Sequence, residues 1–243
     1  MGKMAESYTL LYQESVESTQ ESIKLALNNA GNGLVGLYAG TQTAGRGRGV
    51  SKWHDSPGRS LLMSVAVHWE KPPIHPFDIN RWFCGVLQSV LPKTVAFKWP
   101  NDLMVGDKKL GGILIENQWS GAQMHRSIIG LGLNLNASVA DLDRAIAMNT
   151  IDPDNTHQPE EWAHKILSAL AATPFHSMPR LHWDKIYQQR LWGTGQEQPY
   201  LWNGTHIHGT VVRTTPEGML VLALNNGQRR VFDLDEITWD GLK

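Results

Sequence analysis

The chain has 243 residues, of which 41% are hydrophobic and 19% charged, and its formal net charge is −1. This composition is typical of a soluble globular protein, and the length fits one large domain or one domain with a small appendage. The near-neutral charge excludes a delocalised basic surface of the kind that binds nucleic acid or anionic membranes. The single cysteine, Cys84, excludes an intrachain disulfide and a cysteine zinc cluster.

The sequence also indicates where the protein acts. Its N-terminal stretch lacks the apolar segment of a secretory signal, and no run approaches the roughly 20 apolar residues of a membrane span. We therefore expect a protein of the reducing cytoplasm with no membrane partner. Cys84 lies in an apolar helical pattern, which predicts a buried and inert thiol.

The first half of the chain predicts strands and helices in alternation. A strand over 7–13 is followed by a helix that Ser18 or Thr19 caps and that ends at Gly31. The next predicted elements are a buried strand, a glycine-arginine loop, a second strand and a helix, over 33–40, 41–60, 60–69 and 77–91.

The second half predicts a strand meander, two helices and a small β module. The meander covers 95–136, with turns at 106–107 and 120–121, and a polar connection over 149–158 follows it. Two helical patterns come next, with a break at Pro174. Residues 199–243 alternate apolar and polar residues, which predicts a small antiparallel barrel or sandwich.

The glycine-arginine loop is the first candidate for chemistry. Gly45, Gly47 and Gly49 alternate with Arg46 and Arg48. Glycines let backbone N–H groups converge on an oxyanion, and arginines hold phosphate or carboxylate oxygens in a fixed fork. A solvated surface loop is an equally good interpretation of this stretch alone, and a short RNA-binding segment is a third.

Three further stretches carry candidate polar groups. "KWPNDL" places Asn101 and Asp102 after a strand, where an amide and a carboxylate suit a nucleotide, a hydroxyl or Mg²⁺, although a simple turn explains them too. In "GDKKLGGILIE" the period of a strand sends Lys108 and Lys109 to opposite faces, so that one of them enters a pocket. "GLGLNLN" gives one strand face of Gly130, Gly132, Asn134 and Asn136, which either holds a flat ligand or lies under a helix.

Together these stretches resemble the biotin protein ligases. The matching segments are "ESTQ", "TQTAGRGR" with a following tryptophan, "KWPNDL", "KKLGGILIE" and "GLGLNLN", and the resemblance covers roughly residues 7 to 240. It implies an α/β (α+β) fold, with a mixed-sheet catalytic domain of the biotin/lipoate ligase type over 1–195 and an SH3-like β-barrel over 196–243. The implied reaction uses MgATP to convert biotin to biotinyl-5′-AMP and then biotinylates one lysine of a biotin carboxyl carrier domain.

The resemblance also implies roles for individual residues. Lys109, Arg48 and Asp102 would be catalytic, with Asp102 a metal ligand as well. The residues implied for biotin are Ser18, Thr19, Gln20, Gln42, Gly45, Arg46, Gly47, Arg48, Lys109 and Gly112. Those implied for ATP or the adenylate are Arg46, Arg48, Trp53, Asn101, Asp102 and Asn134. Lys108 would be solvated.

Two departures from the family pattern bear on these expectations. The usual glycine after G-R-G-x-x is replaced by Val50, and Gly49 precedes it, which predicts a local shift in loop conformation. Many bacterial relatives carry an N-terminal helix-turn-helix, whereas this sequence starts at the first catalytic strand, so we expect no DNA binding. Monomer and homodimer stay open.

The principal alternative is a lipoate or octanoate ligase or transferase of the same fold. Those enzymes usually carry an R-R-x-S-G-G-G-like loop, and "GRGR" with "KWPND" argues against them. A non-catalytic RNA-binding module is the second alternative, but it leaves Lys109 and "KWPND" without a role.

Overall fold

The computed structural model describes residues 8–27, 33–49, 51–53, 58–136 and 144–240. The predicted helix end at Gly31 and the substituted loop position Val50 lie outside these ranges. No helix in the described ranges combines the length and the hydropathy that a membrane crossing requires.

The larger sheet has seven strands in the order β1–β2–β3–β7–β6–β5–β4, and its first pair is parallel while the others are antiparallel. The predicted mixed sheet is thus confirmed. Its strands are β1 (Tyr8–Val16), β2 (Leu34–Gln42), β3 (Ser60–His68), β4 (Val95–Lys98), β5 (Asp102–Val105), β6 (Lys108–Ser120) and β7 (Gln123–Asn134).

Helices cover both faces of this sheet. They are α1 (Thr19–Ala26), α2 (Phe77–Val90), α3 (Met148–Ile151), α4 (Pro159–Ala172) and α5 (Arg180–Gln189). Alternate strand residues belong to different apolar clusters, since Leu37 packs with Ile23 of α1 whereas Tyr38 packs with the α2 and α4 side. This alternation is the period-two pattern of a sheet with two covered faces.

Two predicted helical regions differ in detail from the structure. The polar connection over 149–158 contains the end of α3, a single turn whose first residue, Met148, is buried. The second helical pattern begins only at Arg180, because Pro179 precedes the helix and residues 175–177 form a separate 3₁₀ turn. The predicted break at Pro174 is confirmed.

Helix α2 is the central helix of the main core. Its buried residues include Ile79, Trp82, Phe83, Val86 and Leu87, which recur at the three- and four-residue spacing of one helix face. The predicted burial of Cys84 is confirmed, and burial raises the pKa of its thiol well above the usual range.

The state of Cys84 gives a first testable expectation. Because only the thiolate reacts and the native thiol is buried, alkylation by iodoacetamide should be at least about 10³-fold slower in the native protein than in guanidinium chloride. Mass spectrometry of timed samples measures the rate, and the absence of other cysteines leaves a single site. Equal labelling rates in the two solvents would contradict the buried position.

The C-terminal part forms a second, five-stranded antiparallel sheet in the order β11–β10–β9–β8–β12. Its strands are β8 (Glu197–Trp202), β9 (Thr205–Thr214), β10 (Leu220–Leu224), β11 (Arg229–Phe232) and β12 (Ile237–Trp239). The predicted β module is thus present, while the exact division of the chain after residue 195 stays a prediction.

Tryptophan side chains link this module to the larger sheet. The Trp99 indole donates a hydrogen bond to the Gly218 carbonyl at 2.8 Å, and the Trp239 indole donates to the Trp99 carbonyl at 3.1 Å. Both bonds involve the segment after β4. The module therefore packs directly beside the "KWPND" stretch.

Candidate active site

A cavity of about 250 Å³ opens over the β6–β7 part of the larger sheet, on the α1 side. Its lining comes from the start of α1, the end of β2, the glycine-arginine loop, β3, β5, β6 and β7, which are far apart in sequence. The lining residues are Ser18, Thr19, Gln20, Gln42, Arg46, Gly47, Arg48, Ser51, Lys52, Trp53, Met63, Asn101, Asp102, Lys109, Gly112, Ile113, Leu114, Gly130, Leu131 and Gly132.

The start of α1 contributes hydroxyl and amide groups at one end. Ser18 is the N-cap, and its Oγ accepts a hydrogen bond from the Gln20 backbone N–H. The Oε1 of Gln42 accepts from both the N–H and the hydroxyl of Thr19, at 2.8 and 3.2 Å. Ser64 on β3 donates to the Thr19 hydroxyl. The helix terminus is therefore held rigidly against β2 and β3.

Gln20 presents an unused acceptor in this polar end. Its Nε2 donates to the Leu114 carbonyl at 3.2 Å, which fixes the orientation of the amide. Its Oε1 is buried and has no hydrogen-bond partner. Since a buried acceptor without a partner is costly, this oxygen suits an N–H group of a bound ligand.

The lining also contains a close ion pair. Lys109 Nζ lies 2.6 Å from Asp102 Oδ1, which brings together two of the residues predicted to be catalytic. Lys108 is exposed, whereas Lys109 lines the cavity, so the predicted division of the two lysines between opposite faces is confirmed.

Lys98 is a functional candidate that sequence reasoning missed. It pairs with Asp102 in the β4–β5 register, and its Nζ lies 3.8 Å from Asp102 Oδ2. Burial lowers the pKa of Lys98 to about 8, and the nearby Lys109 charge acts in the same direction while Asp102 opposes it. Its place in the quoted "KWPND" stretch, four residues before Asp102, was the available signal.

The glycine-arginine loop folds into a narrow hairpin beside the cavity. Arg46 bridges to Lys52, and the Gly47 N–H donates to the Ser51 carbonyl at 2.8 Å. Gly49 adopts a φ of +62°, a conformation that glycine accepts without strain. The early glycine thus supplies the turn of this hairpin.

Both loop arginines are held by protein groups in this structure. Arg46 Nη1 lies 2.5 Å from Glu21 and 3.7 Å from Glu116, which belong to α1 and β6. Arg48 donates twice to the Leu234 carbonyl, at 3.2 Å, and therefore contacts the C-terminal module. A hydrogen bond from Lys24, followed by the charges of Lys24 and Arg46, lowers the pKa of Glu21.

The predicted glycine face is covered by two side chains. A Cβ on Gly132 would lie 2.5 Å from the Trp53 ring, and one on Gly130 would lie 3.2 Å from Gln20. The Trp53 Nε1 is buried and has no hydrogen-bond partner. The sequence leaves open whether this face holds a flat ligand or lies under a helix. In the structure Gln20 of α1 covers one part of it, and Trp53 of the loop covers another part beside the cavity.

Most of the predicted site residues converge, but not all of them. Asn101 lines the cavity, while its Nδ2 donates to the Ile113 carbonyl. Asn134 lies outside the lining, and its amide donates to the carbonyls of Lys109 and Ile146. Gly45 also lies outside it, at the base of the loop, where its carbonyl accepts from the Trp53 N–H.

The charges of the lining favour an anion. The lining contains four basic residues, Arg46, Arg48, Lys52 and Lys109, and one acidic residue, Asp102. The described residues contain no cluster of three or more His, Cys, Asp or Glu side chains that would hold a metal. Both Asp102 oxygens lie near lysines, and the role of Asp102 as a metal ligand stays a prediction.

Comparison with protein families identifies the family of this chain. The model of the biotin/lipoate A/B protein ligase family matches residues 12–134, about half of the chain, and this segment contains the whole cavity lining. The chain belongs to that family.

Individual relatives cover still more of the chain. The bifunctional ligase/repressor BirA of Bacillus subtilis is 27% identical over 245 residues, which cover 93% of this chain and 73% of that protein. A biotin–[acetyl-CoA-carboxylase] ligase of Mycobacterium tuberculosis is 32% identical over 133 residues, covering 51% and 44% of the two chains. The fold matches a biotin protein ligase from Aquifex aeolicus, solved with biotin and ATP, with a TM-score of 0.75, 24% identity and coverage of 95% and 97%.

Proposed function

We propose that this protein is a biotin protein ligase, which adenylates biotin with MgATP and transfers biotin to a lysine of a biotin carboxyl carrier domain. The observation that carries the proposal is the cavity, whose lining combines four basic side chains and one carboxylate with hydroxyl and amide groups. Such a cavity accommodates a ligand with a polar uncharged head and an anionic tail. Biotin has this form, with a ureido ring and a carboxylate.

The head of biotin fits the end of the cavity at α1. Ser18, Thr19 and Gln42 offer hydroxyl and amide groups to the ureido carbonyl and N–H groups, and the unpartnered Oε1 of Gln20 accepts an N–H. Gly112 and Gly132 lack side chains on the floor, and this lets the Trp53 ring pack directly against the strands there. Trp53 then covers the bound ring from the loop.

The first chemical step joins two anions. A carboxylate oxygen of biotin attacks the α-phosphorus of ATP, and the bond from that phosphorus to the bridging oxygen of pyrophosphate breaks. Lys109 reduces the repulsion between carboxylate and phosphate, and Arg46 and Arg48 leave their protein partners to bind the phosphate oxygens. Mg²⁺ enters with ATP and neutralises the departing pyrophosphate.

The second step transfers the activated biotin. The amine of the acceptor lysine attacks the carbonyl carbon of biotinyl-5′-AMP, the amide bond forms, and AMP leaves with the electrons of the carbon–oxygen bond. Asp102 lies at this end of the cavity, where a carboxylate can hold the incoming ammonium or receive its proton. The carrier domain, the cytoplasmic location and the use of Mg²⁺ belong to this proposal.

Binding experiments separate biotin from lipoate, the substrate of the alternative function. We expect biotin at 100 times its dissociation constant to stabilise the folded state by about 2.7 kcal/mol and lipoate to leave it unchanged. Thermal unfolding with each compound measures the difference. Stabilisation by lipoate alone would replace the proposed substrate with that of the alternative.

The floor glycines allow a test of the position of biotin. The new methyl group of Gly132→Ala would overlap the Trp53 ring, so the ring must shift and biotin affinity should fall about tenfold or more. Isothermal titration calorimetry measures the dissociation constant. Gly33→Ala is the control, because a Cβ there meets no atom within 4 Å. If the Gly132 variant binds biotin with unchanged affinity, biotin does not bind over Gly132.

A further inference from the structure

Lys98 is a buried cation with an unusual set of neighbours. Only 7% of its surface is exposed. Its Nζ lies 5.8 Å from the ring centroid of Trp192 and 5.5 Å from that of Trp239, and it lies 3.8 Å from Asp102 Oδ2. Two aromatic walls and one carboxylate thus enclose the ammonium group.

Burying an ammonium group is costly, and a packed apolar side chain of similar length would avoid that cost. The aromatic faces return part of it through cation–π attraction. A single carboxylate at 3.8 Å is an ion pair without a direct hydrogen bond, which is modest compensation. Stability alone therefore gives no reason for a lysine at this position.

The geometry around Asp102 gives such a reason. Its carboxylate lies between two ammonium groups, with Oδ1 2.6 Å from Lys109 and Oδ2 3.8 Å from Lys98. Lys98 is also directly opposite Asp102 in the β4–β5 ladder, so the backbone fixes their separation. Lys98 attracts the oxygen that does not bind Lys109, and this limits rotation of the carboxylate.

We infer that Lys98 is a positioning residue for adenylation: it orients Asp102, which in turn holds Lys109 beside the reacting carboxylate and phosphate. The inference rests on the proposed function. It also assigns a part to the C-terminal module, since Trp239 of β12 forms one wall around Lys98 and donates to the Trp99 carbonyl. The module thus helps to build the active site although none of its residues up to Asp240 lines the cavity.

The test uses Lys98→Met, which keeps the length of the side chain and removes its charge. We expect kcat for biotin-dependent pyrophosphate–ATP exchange to fall about 10- to 100-fold, the range typical when a group that orients a functional side chain is removed. The KM for biotin should change less than about threefold, because Lys98 does not line the cavity. Lys98→Arg, which retains the charge, should recover part of the loss.

Two controls separate positioning from folding. The exposed Lys108→Met should leave kcat unchanged. The melting temperature of Lys98→Met should equal or exceed that of the wild type, because the variant no longer buries a charge. The Trp239→Leu variant gives an independent reading, since it opens the wall around Lys98 without changing any charge, and it should also lower kcat.

A double-mutant cycle with Asp102→Asn decides whether Lys98 acts through Asp102. If it does, Lys98→Met should cause no further loss in the Asp102→Asn background. Losses that multiply in the double variant, or a wild-type kcat in Lys98→Met, would overturn the inference. Wild-type protein without any biotin-dependent exchange would instead refute the proposed function, so the two failures are distinguishable.

Discussion

Replacing Lys109 with alanine should reduce biotin-dependent pyrophosphate release by about 10²- to 10³-fold, the usual cost of removing one group that stabilises developing charge. Lys109 is expected to reduce the repulsion between the biotin carboxylate and the α-phosphate of ATP. Of the two lysines in the lining, it is the one that contacts Asp102. The loss should appear in kcat more than in the KM for biotin, since head-group contacts are untouched. A coupled pyrophosphate assay at saturating ATP and biotin measures it.

The neighbouring lysine supplies the matched control for this prediction. Lys108 is exposed and adjacent in sequence, so Lys108→Ala removes the same charge from nearly the same place without touching the cavity. Its activity should stay within about twofold of the wild type. Equal losses in the two variants would mean that general charge, and not the position of Lys109, determines the rate.

The largest expected effect on stability comes from Arg81, which has no exposed side-chain surface. Its Nη1 lies 2.7 Å from Asp78, and its Nε lies 3.0 Å from Asp184 at an angle that makes an ion pair without a hydrogen bond. The same guanidinium donates to the carbonyls of Thr215 and Pro216 in the C-terminal module. One side chain therefore joins α2, α5 and the module.

Arg81→Met should lower the free energy of unfolding by about 3–5 kcal/mol, because the change leaves buried Asp78 without its main partner and removes the bonds to the module. Urea denaturation followed by tryptophan fluorescence measures the loss. The control is Arg180→Met. Arg180 also binds Asp78, at 2.8 Å, but its side chain is 32% exposed, so the loss should be about 1 kcal/mol. A loss below about 1 kcal/mol for Arg81→Met would show that the buried contacts of Arg81 do not hold the module in place.

The elements of the fold follow from local patterns, and the sequence therefore predicts most of them. The turns at 106–107 and 120–121 bound β6, and the opposite directions of neighbouring strand side chains separate exposed Lys108 from Lys109 in the cavity. The N-cap at Ser18 is equally local, since the hydroxyl binds an N–H two residues away. Such features depend on residues close together in sequence, so short sequence patterns predict them.

The remaining features of the site depend on contacts between distant residues. Trp53 lies over Gly132, 79 positions later, and Trp239 encloses Lys98 from the end of the chain. Asn134 shares the strand parity of Gly132, yet its amide turns to the carbonyls of Lys109 and Ile146 at the end of β7. Burial of Arg81 likewise requires the module as a partner. No local period encodes these packings.

The two loop arginines bind protein groups in this structure, and substrate binding would change those partners. Arg46 binds Glu21, and Arg48 binds the Leu234 carbonyl, so under the proposed function each would exchange a protein partner for a phosphate oxygen. Arg46 is half-exposed, and solvent weakens its pair with Glu21, which makes this exchange inexpensive.

The most direct test of the central claim is pyrophosphate release by the wild-type protein with ATP and Mg²⁺ and with either biotin or lipoate. We predict release with biotin and none above background with lipoate. Release with lipoate alone would contradict the assigned substrate while leaving the family intact. No release with either compound would contradict adenylation itself, and the four basic side chains of the cavity would then bind an anion that they do not transform.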